Sequence, residues 1–192
     1  MQTLQQYGYC AISLELFQSF IDDRNVEVPD KPVLITFDDG YLDNFQNAYS
    51  ILKQHGMIAT FFVITDKLWT EDRLNPERIA EMAQGGMSFG SHTVTHRRLG
   101  ELSWADIQDE LIVSKGILES ILGRPVNAIA YPQGSYNQNV ITIAQNLGYT
   151  TGFTVREGIC IKDSPDFELR RIPIFKYDRG IIGIIEQRGS LK

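Results

Sequence analysis

The sequence predicts an α/β fold: a mostly parallel sheet wrapped by helices, as an open sheet or an incomplete barrel. Three observations lead there. About six short apolar runs alternate with amphipathic helical patterns, the order expected of a parallel sheet. The chain shows no repeats, low-complexity stretches or linkers, and its 192 residues with 43% hydrophobic content can bury a full core. The apolar run Pro32-Val33-Leu34-Ile35 leads into Thr36-Phe37-Asp38-Asp39-Gly40 and then into a helical pattern. That is a strand-to-helix junction at a carboxyl strand end, where α/β proteins build their sites. One domain over residues 1–192 is the economical reading.

The elements follow from local signals. Leu4 to Cys10 reads as a helix end stopped at Gly8, and Ser13 caps a helix over Leu14–Ile21 with Leu16, Phe17, Phe20 and Ile21 apolar. Asp22 to Lys31 is a polar loop, followed by the central strand and its aspartates. Phe45, Ala48, Tyr49 and Leu52 give an apolar face to a helix from about Asp43 to His55, stopped at Gly56. Met57–Ile64 reads as a buried strand. Asn75 caps and Pro76 starts a helix to Gln84, and Met87–Gly90 is a short strand delivering His92 and His96. Ser103, with Asp106 at the third position, opens the clearest helix; it runs to about Leu122 with Ile107, Leu111, Ser114, Leu118 and Ile121 on one face. Val126–Tyr131 is a strand, Asn137 caps a helix to Leu147, and Tyr149–Val155 and Glu168–Ile174 are the last strands. The tail from Ile181 is weakly patterned, either a terminal helix or disordered.

A net charge of -6 and a pI of about 5.1 argue against a nucleic-acid or anionic-membrane surface. No apolar run is long enough to span a bilayer. Cys10 and Cys160 are too few for a disulfide framework and form no zinc pattern, so two reduced residues are expected. The first residues lack the charged start and apolar core of a secretory signal, and the chain runs so quickly into structured sequence that N-terminal truncation is a serious alternative to an internal protein. No obligate protein partner is evident.

Two clusters carry the chemistry. Asp38, Asp39 and Gly40 alone read equally well as a turn capping the next helix. Ser88 to His96, however, holds two of only three histidines, and His92 and His96 are four apart, which on a helical turn puts them on one face. A divalent ion held by two imidazoles and one carboxylate, with an open position for water, is a hydrolytic arrangement. One aspartate then serves as ligand and the other as base. Zinc suits these donors best, but cobalt, nickel, iron and manganese are compatible.

The motifs Thr36-Phe37-Asp38-Asp39-Gly40, Ser91-His92-Thr93-Val94-Thr95-His96-Arg97-Arg98-Leu99 and Tyr131-Pro132-Gln133-Gly134 resemble, in order and spacing, the first three motifs of the polysaccharide deacetylases, carbohydrate esterase family four. Gly8-Tyr9 and Ile12-Ser13-Leu14 look like the branch acting on poly-N-acetylglucosamine. The resemblance implies a distorted, incomplete (β/α) barrel with a metal at the carboxyl ends of its strands. It implies Asp38 as general base; Asp39, His92 and His96 as metal ligands; and Tyr131, Pro132, Gln133 and Gly134 as a groove wall, with an amide near Gln133 helping to hold the oxyanion. It implies Leu99 as packing beneath the metal loop, a glycan as partner and the cell envelope as location.

Two departures stand out. Many relatives place an arginine that orients the catalytic aspartate where this chain has Ala130; Arg170 or Arg171 can substitute, and Arg171 is favoured. Many relatives also carry a late histidine as general acid, whereas no histidine follows His96. His55 reads as a surface or helix-end residue. Among the aromatics, Tyr41 is the better groove candidate, Tyr136 has a similar claim, and Trp69 and Trp104 more commonly pack at loop edges than against sugar. Asp163, Asp166 and Glu168 read as a solvated acidic loop. The expected function is removal of N-acetyl groups from an N-acetylglucosamine polymer. The rivals are O-acetyl ester cleavage, a weakly active or non-catalytic glycan-binding domain, and two structural histidines without a metal.

Overall fold

The computed structural model describes residues 1–22 and 24–190. Its centre is a six-stranded sheet, every neighbouring pair parallel, with strands in the order of the chain. These are β3 (Thr36–Phe37), β4 (Thr60–Val63), β5 (Ser88–Ser91), β6 (Ala128–Ala130), β7 (Thr151–Glu157) and β8 (Leu169–Arg171). The sheet curls into a half-barrel. Its two edges face each other closely enough for Arg171 on β8 to reach Thr36 on β3, Nη1 to Oγ1 at 3.3 Å.

The predicted central strand is thus corrected in two ways. Its apolar run divides: β2 (Pro32–Val33) pairs with β1 (Cys10–Ala11) in a separate small sheet, and the chain re-enters the main sheet only at Thr36. Moreover, β3 lies at an edge of the main sheet. Apolar composition alone cannot say which partner a run takes. The helix end expected to stop at Gly8 is α1 (Gln2–Gln6), which finishes two residues earlier, and β1 follows.

The helical expectations hold with modest shifts. Side chains of Ser13, Asn75, Ser103 and Asn137 accept amide bonds at the starts of α2 (Leu14–Ile21), α4 (Pro76–Gln84), α5 (Trp104–Leu122) and α6 (Gln138–Asn146). The helix expected from Asp43 begins as a wide π-type turn over Asn44–Tyr49 and tightens into α3 (Ser50–Gln54). The tail forms α7 (Ile181–Gly189), and α7 packs near α1; Leu191 and Lys192, also in the expected tail, lie outside the described residues. Among the described residues no helix is long and apolar enough to cross a membrane.

The central strands β4, β5 and β6 are buried on both sides, so alternation decides which core each residue joins. On β4, Phe61 and Val63 face the helices α3, α4 and α5, while Phe62 faces inward. On β6, Ile129 packs outward with α5 and α6, and Ala128 and Ala130 point inward with Phe62, Phe153 and Leu169. Inner residues are small where space is short: a Cβ on Gly90 of β5 would sit 2.4 Å from Phe62 Cε1 and 2.9 Å from the Ala128 carbonyl oxygen. Helix α2 closes the amino end of the half-barrel with Leu14, Phe17 and Ile21. There Gln18 Nε2 donates to Asn127 Oδ1 and to the Thr150 and Thr151 hydroxyls, just before β6 and at the start of β7. With that end plugged, the carboxyl end is left for the site. Cys10 and Cys160 are free thiols, as expected.

Candidate active site

The loop after β3 carries Asp38, Asp39 and Gly40, and it is held open by a neighbouring segment. Leu42 N donates to Asp72 O at 2.9 Å, Leu74 N donates to Gly40 O at 2.9 Å, and Tyr41 and Arg73 form an isolated antiparallel bridge. Asp39 itself adopts a left-handed backbone (φ 72°), which is uncommon for a side chain beyond glycine. This turn sends the two adjacent carboxylates to different partners, which relieves their repulsion.

Asp39 meets the histidines. Its Oδ1 lies 3.4 Å from His92 Nε2 and 3.6 Å from His96 Nε2. Two ligands each about 2 Å from a tetrahedral ion lie roughly 3.3 Å apart, so the carboxylate oxygen lies from each imidazole nitrogen at about the spacing a divalent metal requires. The three ligand atoms lie within 4.8 Å of one another. His92 Nδ1 is 2.7 Å from the Ala130 carbonyl oxygen, which accepts its proton and leaves the Nε2 lone pair free for ligation. The His92 contact holds the Asp39 carboxyl below its ordinary range, and burial lowers the pKa of His96, favouring the neutral imidazole that ligation needs. The residues present therefore fit a divalent ion.

The expected helical turn is not how the histidines meet. His92 follows β5 directly, and the chain then runs as a loop with Thr93 (φ 67°) and His96 (φ 63°) in the left-handed region. Two such residues cost about 1–3 kcal/mol each and persist only where surrounding contacts over-determine them. Those contacts are present: Thr93 N donates to Ser91 Oγ and His96 N to Thr93 Oγ1, both at 3.0 Å. From the loop after β4, Thr65 N donates to Thr93 O at 3.1 Å and Asp66 N to Val94 O at 3.0 Å. From α5, Glu110 accepts from Val94 N at 2.8 Å and Thr95 N at 2.9 Å, and also from the Thr95 hydroxyl. Leu99 is fully buried against Ile107 and Leu111 below this loop, as the resemblance implied.

Asp38 turns instead to Arg171. The guanidinium grips it with both prongs, Nη1 to Oδ1 at 2.8 Å and Nη2 to Oδ2 at 2.7 Å, while Nε donates to the Thr154 carbonyl at 2.9 Å. Burial pushes the Asp38 carboxyl up, but the Arg171 hydrogen bonds and charge outweigh this and hold it below the ordinary carboxylate range. Arg170, on the opposite face of β8, donates to the Glu157 carbonyl at 3.1 Å. Arg171 is thus the arginine beside the aspartate, and Ala130 contributes its carbonyl to His92. Replacing Arg171 by Met removes the clamp and leaves a carboxylate without its cation. The depressed Asp38 pKa contributes stability above pH 3.8 and loses it as pH falls through the lower folded value. The variant is expected to lose melting temperature at neutral pH and little at the acid end. Arg171→Lys, a single-point charge, is expected to restore only part of it. Melting curves across pH on the metal-free protein check this.

The expected groove residues divide. Tyr41 is 43% exposed, follows the aspartate loop directly, and has Arg73 Cζ 3.8 Å from its ring centre. Gln133 is exposed with φ 54°, and Gly134 has φ 66° and closely approaches Val155. Both lie in the turn starting one residue after the carbonyl that holds His92. Tyr131 and Pro132 are corrected as surface-forming side chains: both are buried, and Tyr131 OH donates to the Phe167 carbonyl at 3.1 Å. Tyr136 stacks on Tyr131 and donates to Glu168, which also pairs with Arg156, so Glu168 is no free member of an acidic loop. Trp69 and Trp104 are exposed. His55 caps the end of α3 and bonds Gln5, in keeping with its expected place.

Glu110 was not singled out from sequence. It stands three residues after Ile107 and four before Ser114 on the apolar stripe of α5, and a carboxylate on a buried stripe is the signal that would have found it.

A profile of the polysaccharide deacetylase family matches residues 25–152. The chain is similar to YxkH of Bacillus subtilis (strain 168), a protein named for the same family, at 39% identity over 174 residues, covering 91% of this chain and 62% of that one. It is similar to a poly-beta-1,6-N-acetyl-D-glucosamine N-deacetylase of Staphylococcus aureus (strain MSSA476) at 29% identity, covering 76% of this chain and 55% of the other. The chain therefore spans under two thirds of the length of these curated relatives. Among solved structures, the Streptococcus pyogenes deacetylase PplD, in complex with acetate, superposes with a TM-score of 0.87 at 35% identity, covering 92% of this chain and 78% of that one.

Proposed function

The chain belongs to the polysaccharide deacetylase family, and on that premise we propose that it is a metal-dependent hydrolase removing N-acetyl groups from a polymer of N-acetylglucosamine in the cell envelope, acting as a single domain. The observation that carries the reading is the division of labour between adjacent carboxylates: Asp39 with two imidazoles, Asp38 with an arginine. A pure binding site has no need of a base beside a metal triad. The glycan is suggested by the Staphylococcus aureus relative, whose name states that substrate.

Asp39 Oδ1, His92 Nε2 and His96 Nε2 would hold the ion, zinc by the chemistry of the donors. When bound, such an ion polarises an acyl oxygen and acidifies water. Asp38 takes the proton of the attacking water on a carboxylate lone pair left free by Arg171, since a carboxylate offers roughly four acceptor sites and the guanidinium fills two. Arg171 keeps Asp38 ionised and oriented, so the base is ready before substrate arrives. The low basicity that results suits acidified water and would suit bulk water poorly. The backbone amide of Gln133 would donate to the oxyanion, since its neighbours Gly134 N and Ser135 N already donate to the Tyr131 and Pro132 carbonyls. Tyr41, Gln133 and Gly134 line the approach, with Tyr131 and Pro132 packed behind.

Departure of the amine needs a proton. His55 is tied to Gln5 at the end of α3, so none of the three histidines is a spare acid. Ester cleavage asks less of an acid, because an alkoxide leaves more easily than an amide nitrogen. The test is acetate release from an N-acetylglucosamine oligomer beside an aryl acetate ester, with one divalent ion supplied at a time. Release from the oligomer supports the deacetylase. Cleavage of the ester alone would replace it with an O-acetyl esterase, and release from neither, with metal bound, with a glycan-binding domain.

A further inference from the structure

We propose that Glu110 is a positioning residue for the metal loop, its buried carboxylate acting as the template on which the segment from His92 to His96 is shaped. The proposal rests on the reading that Asp39, His92 and His96 hold a metal.

Glu110 is 5% exposed, yet it carries a carboxylate on the apolar stripe of α5. Such a group is costly unless hydrogen-bonded. Its bonds come from the two central residues of the loop: Oε2 accepts from Val94 N at 2.8 Å and Thr95 N at 2.9 Å, and Oε1 accepts from the Thr95 hydroxyl. Successive amides converging on one anion form a nest, which fixes the backbone that makes it. The two residues flanking this pair, Thr93 and His96, are the two with left-handed backbones. The anion therefore sits at the middle of the strained stretch, where it decides whether His96 turns back toward Asp39.

The other ties to the loop are local or come from adjoining strands and the neighbouring loop: the Ser91 and Thr93 hydroxyls, the Val63 and Ala130 carbonyls that hold His92, and the amides of Thr65 and Asp66. Glu110 alone among them belongs to a long helix, α5, which spans 19 residues. One turn further along the same face, Ser114 Oγ lies 2.5 Å from Ser91 Oγ, fixing the end of β5 from which His92 departs. The face of α5 thus registers the start of the metal loop through Ser114 and its middle through Glu110, which sets its curvature.

Glutamine at 110 keeps the shape but loses the charge, and with its one amide oxygen on the Val94 and Thr95 N–H groups its NH₂ faces the Thr95 hydroxyl, which must turn from donor to acceptor. Glu110→Gln is expected to weaken cobalt(II) binding by about 10- to 100-fold, the usual cost of losing an outer partner of a ligand. It is also expected to change the visible absorption of the cobalt form, which a residue serving stability alone would leave untouched. Thr95→Val, which removes only the hydroxyl bond, is expected to weaken binding by about three- to tenfold. A folded Glu110→Gln with parental affinity and spectrum overturns the proposal. Should Glu110→Gln fail to fold, Thr95→Val decides: unchanged affinity and spectrum overturn the proposal, and a weakened, altered site supports it. Asp39→Asn separates this from the reading beneath it. If the parent binds no cobalt, or binds it regardless of Asp39→Asn, the metal reading itself falls. If Asp39→Asn abolishes binding while Glu110→Gln changes nothing, only the role of Glu110 is lost.

Discussion

Asp38→Asn is expected to lower kcat for acetate release by about 10²- to 10⁴-fold, the range over which a positioned proton acceptor contributes. Asparagine has nearly the same shape but cannot take up a proton, and its amide nitrogen would face one prong of the Arg171 guanidinium. The metal triad does not include this side chain, so cobalt or zinc affinity is expected to stay near that of the parent. Steady-state kinetics on the oligomer, with metal affinity measured on the same preparation, check both halves. Retained activity would move the base elsewhere. Lost activity accompanied by lost metal would mean that the substitution collapsed the site and said nothing of proton transfer. The two effects separate because Asp38 and Asp39 point to different elements: one to β8, the other to the loop after β5.

Stripping the protein with a chelator is expected to reduce acetate release to background, and adding back one equivalent of zinc or cobalt to restore it. Asp39 Oδ1 lies 3.4 Å and 3.6 Å from the two imidazole nitrogens, and on the proposed reading a polarised acyl oxygen and acidified water are what make an acetamide reactive near neutral pH. His96→Ala leaves only two of the three donors. Its metal affinity, by competition with a coloured chelator, is expected to fall by more than about 100-fold, since even outer-shell partners cost 10- to 100-fold. Release that survives chelation in protein shown to be free of metal would sink the hydrolytic role assigned to the triad.

Much of the architecture was legible because its signals are local. Ser13, Asn75, Ser103 and Asn137 each start the helix expected of them, because an N-cap depends on a side chain and amides only a few residues away. The alternation of strands and helices implied parallel pairing, and all the pairs in the main sheet are parallel. The membership of Asp39, His92 and His96 in one cluster was legible from motif order. The means by which the histidines meet was not. A spacing of four suggests a helical face, but Thr93 and His96 take left-handed conformations that nothing in their own side chains prefers. Tyr131 illustrates the converse error: a motif position was taken as a surface, whereas its place at the end of β6 faces it into the core.

The sequence by itself determined the order of elements, the helix starts and which aspartate and histidines cluster. Tertiary structure alone decided that the strand before Asp38 lies at the sheet edge, that the sheet curls far enough for Arg171 to clamp an aspartate 133 positions earlier, and that Ala130 serves through its carbonyl. It also decided that a glutamate on an apolar stripe of α5 holds the loop between the histidines. The physical reason is range. Caps, turns and periodicity are set within a few residues, whereas sheet curvature and the burial of single charged groups depend on how all the strands and helices share one core.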